Sequence, residues 1–147
     1  MSSQYDRETI SFELNDSTFS NGSTYRVVDR LFKYDILELE TSSFAILDSI
    51  AAFLIQHTKI VVEIRTHTND NGDAYSNNLS GKRAHVIYKY LLEKGIDSER
   101  LIPKGYGAEN PVYSSEEMEH LTEAQLEEAK LYNRRTDFLI IAGGTAP

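Results

Sequence analysis

The chain has 147 residues, no cysteine, 40% hydrophobic and 26% charged content, and a formal net charge of -8 at pH 7. That length suits one domain able to bury its own core. The acidic balance argues against nucleic acid and against simple electrostatic docking on anionic lipid. The lack of cysteine removes disulfides, thiolate nucleophiles and Cys-based zinc sites.

Taken in order, the opening MSSQYDRETIS is polar and lacks the apolar core of a signal peptide. It fits either an intracellular protein or a piece of a longer exported one. Ile10, Phe12 and Leu14 alternate with polar residues at strand period. Residues 15–24 read as a loop on their Ser, Asn, Asp and Gly content. Residues 25–34 resume an extended pattern with Val28, Leu31 and Phe32 inward, and Asp35 follows at the strand's end. Ser42 or Ser43 offers an N-cap for a helix to about His57, with Phe44, Leu47, Ile50, Ala51 and Leu54 on its core face. Residues 59–66 form the next strand, with Ile60, Val62 and Ile64 on one side. Residues 69–72 are a turn.

From Leu79 a helix puts Ala84, Ile87 and Leu91 inward, and Gly95 supplies a left-handed stop. Residues 100–106 make a third short strand, closed by Gly105 and Gly107. Thr122 to Gln125 form a capping-box pattern for a helix to about Tyr132. Phe138 to Ala142 is a last strand, and the terminal GGTAP is expected to fray. Glu116, Glu117, Glu119, Glu123, Glu127 and Glu128 crowd one segment, which reads as a solvated helix face. Strands alternating with helices predict an α/β two-layer sandwich: a mixed sheet of about four strands in βαβαβ(α)β order, with helices on one face. The expected organisation is an N-terminal extension with a possible strand over residues 1–24, a domain over 25–142 and a disordered tail over 143–147.

No HExxH pair, P-loop, GxSxG or GxGxxG unit is present, and the four histidines show no metal-ligand spacing. Asp70, Asn71, Gly72 and Asp73 imitate part of an EF-hand loop without its spaced ligands or final glutamate. No metal or cofactor is expected. His67, between two threonines at a strand end, reads as a packed structural histidine. Arg83 is the sharper candidate, because it sits near the start of a helix that follows a loop holding Asp70 and Asp73. An arginine fork and a carboxylate a few ångströms apart clamp a zwitterion such as an amino-acid head group.

Four blocks then carry a resemblance covering roughly residues 25–141: FKYDIL from Phe32, EIRTHTNDNG from Glu63, LSGKRAHVIYKYLLEKGI from Leu79, and RLIPKGYGAENP from Arg100. NRR at Asn133 to Arg135 closes the set. In this order they resemble the OmpA-like domain, the peptidoglycan-associated module of outer-membrane lipoproteins, porin tails and flagellar stator proteins. The resemblance implies a mixed sheet backed by helices. It also implies non-covalent, non-enzymatic binding of the diaminopimelate head group of the peptidoglycan stem peptide. It carries the ligand-holding arginine onto Arg83 and a pocket-lining polar residue onto Asp35. The HT-Asp motif falls on Thr68, Asn69 and Asp70, the loop-to-helix entry on Leu79 and Ser80, and pocket support on Arg134. It implies a periplasmic, outer-membrane-associated setting, with this sequence a piece of a longer exported protein.

Two positions depart from the family pattern. Asn69 stands where the family has aspartate, with Asp70 one place later, and Ser76 stands where it has asparagine. A neutral acceptor at position 69 weakens an ammonium contact by about 1–3 kcal/mol. The resemblance therefore leaves a second reading: a degenerate pocket on a protein-interaction or scaffold module, with the acidic helix as partner surface. A hydrolase using His67 with Asp70 or Asp73 ranks third.

Overall fold

The computed structural model describes residues 11–16, 18–28, 31–33, 37–68, 74–109 and 111–145, with the backbone alone for 74–77. The elements run β1 (Thr24–Val28), α1 (Ser43–Gln56), β2 (Val61–His67), α2 (Ala74–Glu93), a 3-10 turn (Ser98–Arg100), β3 (Leu101–Gly107), α3 (Ser115–Met118), α4 (Glu123–Asn133) and β4 (Arg135–Ala142). The sheet order is β1-β4-β2-β3. Strand β4 is antiparallel to both β1 and β2, whereas β2 and β3 are parallel. Parallel neighbours need a long crossover connection, and α2 supplies it. The expected mixed four-stranded α/β architecture is therefore present.

The alternation read in β2 sets the core. Val62 and Ile64 join Phe138 and Ile140 from β4, Leu47, Ile50, Ala51 and Leu54 from α1, and Ala84, Ile87 and Leu91 from α2. Phe12 and Phe19 join the same cluster, meeting Phe53 at 5.6 and 4.8 Å between ring centroids. The segment before Thr24 thus packs into the domain; its Ile10 lies outside the described residues. On the sheet's other face Arg65 lies over the Tyr106 ring at 4.4 Å, and Tyr106 donates to Glu63 at 2.9 Å.

Several expectations need correction. Strand β1 ends at Val28, and Val27 rather than Val28 is its buried apolar residue, because the register pairs Val27 with Thr136 on the core side. Phe44 is 40% exposed, since it stacks on Tyr90 of α2 at 5.7 Å instead of entering the core. Ser42 does occupy the N-cap of α1, but its side chain makes no capping bond; Ser43 Oγ donates to the Glu40 carbonyl instead. Helix α2 begins at Ala74, five residues before apolar periodicity starts, and α3 precedes α4 with its own capping box between Ser114 and Glu117. The capping box of Thr122 and Gln125 forms as expected, and Gly95 takes φ 100°. Residues 143–145, expected to fray, are tied down: Thr145 N donates to Phe19 O at 2.7 Å, and Asn21 N donates to Thr145 O at 2.8 Å.

Candidate functional site

The placement of Arg83 begins with a close contact between α2 and β3. A Cβ on Gly105 would sit 2.2 Å from Gly81 N, so only glycine admits this approach. Ser80 locks the contact: its Oγ accepts from Gly107 N at 2.9 Å, and its carbonyl accepts from the Thr66 hydroxyl. One turn on, Arg83 reaches across the sheet's end. Its Cζ lies 5.0 Å from the Phe32 ring centroid, and its Nη2 donates to Lys33 O at 3.2 Å. Beside it, Lys33 N donates to Glu38 O and Glu40 N donates to Leu31 O.

The opposite wall comes from the end of α4 and the start of β4. Asn133 ties the preceding loop to the helix, accepting from Val112 N and Tyr113 N at 2.8 and 2.9 Å and donating to Tyr113 O. Arg134 closes α4, and Arg135 opens β4 only 2% exposed. Arg135 Nε donates to Asp137 at 3.1 Å, while Arg26 makes a two-pronged contact with the same carboxylate at 2.9 and 3.0 Å. Asp137 is fully buried, which makes this a desolvated charge cluster whose members need one another.

Between these walls lies a narrow cleft lined by Val27, Leu31, Phe32, Thr66, His67, Arg83, Arg134, Arg135 and Thr136. Three guanidinium groups in one cleft of an acidic chain select for anions, above all carboxylates with their matching fork. His67 stacks on Tyr106 at 5.3 Å with an 11° interplanar angle, and its Nδ1 lies 3.0 Å from Glu109 O. Burial, then the nearby Arg135 guanidinium, push its pKa down to about 4, against a smaller opposing pull from Asp137. The imidazole is therefore neutral at pH 7.

Of the residues expected to bind ligand, the structure brings Arg83 and Arg134 together at the cleft. Thr68 is buried beside His67 and donates its backbone N–H to Gly107 O at 2.7 Å. Leu79 and Ser80 are buried against the sheet, and Ser80's hydroxyl serves the helix–strand contact rather than the cleft. Asp35, Asn69 and Asp70 lie outside the described residues. Sequence reasoning read Phe32 only as inward and gave no role to Asp137 behind Arg135; it read His67 first as packing, with a hydrolase role ranked third. The NRR motif was the available signal for the second wall. Among the described residues no group of three His, Asp or Glu side chains is placed to hold a metal ion, and no helix is long and apolar enough to cross a membrane.

Comparison with known proteins agrees with this architecture. The chain is 31% identical over 86 residues to outer membrane porin F of Pseudomonas fluorescens, covering 58% of this chain and 26% of the porin. It is 25% identical over 116 residues to the peptidoglycan-associated lipoprotein of Buchnera aphidicola, covering 74% and 67% of the two chains. The chain thus spans about a quarter of the porin's length. In fold it is similar to the cell wall anchor of the type VI secretion system (T6SS) from Pseudomonas aeruginosa, with a TM-score of 0.64, 19% identity, and 81% and 80% of the chains covered. The OmpA family model matches residues 31–123, and the chain belongs to the OmpA family.

Proposed function

We propose that this domain binds peptidoglycan without cleaving it, through the diaminopimelate head group of the stem peptide, and so anchors an envelope protein to the cell wall. The observation that carries the reading is Arg83, half-buried at a cleft whose facing wall is Arg134 and Arg135. A diaminopimelate side chain ends in a carboxylate and an ammonium on one carbon. In this reading Arg83 takes the carboxylate through its fork, supported by Arg134. Asp35, Thr68 and either Asn69 or Asp70 face the ammonium. Leu79 and Ser80 hold α2 at the depth that sets Arg83. His67, neutral and stacked, suits a binding wall better than a proton shuttle.

The relatives' names point the same way, since porin F belongs to the outer membrane and the lipoprotein is associated with peptidoglycan. The corresponding setting for this chain is the periplasm, at the inner side of the outer membrane. Pull-down by purified sacculi tests the reading. The natural domain should co-sediment and Arg83→Ala should not; equal recovery of both would remove Arg83 from the site. The degenerate-pocket alternative predicts no natural binding and a gain on Asn69→Asp.

A further inference from the structure

His67 carries more than its packing requires. The Glu109 carbonyl only accepts, so the Nδ1 that faces it at 3.0 Å holds the proton, and Nε2 of the neutral ring keeps a lone pair. Stacking on Tyr106 fixes the ring plane. Nε2 is buried with no hydrogen-bond partner. The next residue repeats the feature: Thr68 is 5% exposed, and its buried Oγ1 also lacks a partner. Buried polar atoms without partners cost free energy and are rare in native folds. Here two fall on consecutive residues at the end of β2, where His67 forms part of the cleft wall.

Building on the peptidoglycan reading, we propose that His67 Nε2 accepts a hydrogen bond from the amino group of the ligand's zwitterionic head group. The ammonium is a strong donor, so a neutral acceptor on the cleft wall contributes to holding it without a carboxylate at position 69. The low basicity of the imidazole keeps its lone pair available at neutral pH, where a protonated ring would repel the ligand. Arg83 on the facing wall takes the carboxylate on the same ligand carbon. Nε2 is covered in the free protein, so binding displaces the groups that cover it.

The test is calorimetry of the full chain with a diaminopimelate-containing stem peptide and with the same peptide lacking the distal amine. The natural protein should favour the amine by about tenfold, the equivalent of one charge-assisted hydrogen bond. His67→Phe keeps a ring on Tyr106 and should reduce that ratio to near one, while the preference for the distal carboxylate survives. If His67→Phe disrupts folding, the side-chain nitrogen resonance decides: His67 Nε2 should shift with the amine-bearing peptide and stay still with the other. An amine preference undiminished in His67→Phe, or an unmoved Nε2 resonance, overturns this inference alone. Failure of the natural protein to bind either peptide overturns the peptidoglycan reading and this inference with it.

Discussion

The two ends of β2 both carry arginines, and they use them differently. At the entry, Arg100 Nε donates to Ile60 O at 2.9 Å, and its Nη2 donates to Leu54 O and His57 O at 2.7 Å each. Leu54 and His57 stand at the end of α1 and Ile60 just before β2, so this arginine ties the helix C-terminus to the strand entry. At the exit, Arg83 Nη2 donates to Lys33 O at 3.2 Å beside a cleft that two more arginines line, and the buried acceptors of His67 and Thr68 lack partners. Both arginines belong to blocks of the family pattern. Motif membership alone therefore does not give an arginine its role, and the ligand role proposed for Arg83 rests on the cleft it lines.

That contrast is most easily broken through the buried carboxylate behind the cleft. Asp137→Ala removes the buried carboxylate that Arg26 and Arg135 share, and is expected to cost about 3–5 kcal/mol in chemical denaturation. A cost below about 1 kcal/mol would mean the cluster is not what holds the second wall. Acid acts on the same region. The folded pKa of His67 is about 4, below its ordinary 6.5, so between these values the unfolded chain binds the extra proton. Stability should therefore fall as pH drops through that window, by about 3 kcal/mol in total, and His67 should contribute no slope above pH 7. His67→Phe should remove this component from the pH profile. Gly105→Ala drives a Cβ against the α2 backbone and is expected to cost about 2–3 kcal/mol.

Swapping the two arginines for alanine sharpens the comparison further. Arg100→Ala is expected to lower stability by about 2 kcal/mol and leave ligand affinity unchanged. Arg83→Ala should show the reverse: about 1 kcal/mol or less of stability, from the lost contact with Phe32, and a tenfold to hundredfold drop in affinity, on the order of one or two charge-assisted bonds. Equal effects of the two on denaturation and on binding would erase the distinction between the ends of β2.

Much of the fold was legible because its period was regular. Val62 and Ile64 alternate, Leu47, Ile50, Ala51 and Leu54 repeat at helical spacing, and both landed in one core. Where a polar run hid the period, the boundary slipped: α2 starts at Ala74, ahead of the Ser76 to Asn78 stretch. The tail was misread because glycine normally marks fraying, whereas Gly143 takes φ 84° and Gly144 runs so near Phe19 O that a Cβ would meet it at 2.4 Å. Phe44 looked inward by spacing, yet Tyr90 offered it a partner outside the core.

Arg83 was legible as the arginine of its motif, although α2 starts at Ala74 and so places it deeper in the helix than the expected first turns. The second wall was not, because the contact of Arg26 with Asp137 spans 111 positions and leaves no local pattern. Nor does a sequence record which imidazole nitrogen is spent on a carbonyl. That is set by where the Glu109 loop falls in space.

In the proposed function, Arg83, supported by Arg134, reads a distal carboxylate on a stem peptide. Calorimetric titration with a diaminopimelate-containing stem peptide, beside its lysine-containing counterpart, tests it most directly, since the second ligand lacks only that carboxylate. The first should bind at least about tenfold tighter than the second. Equal affinities would contradict it, and so would binding of neither peptide, which would direct the search to protein partners.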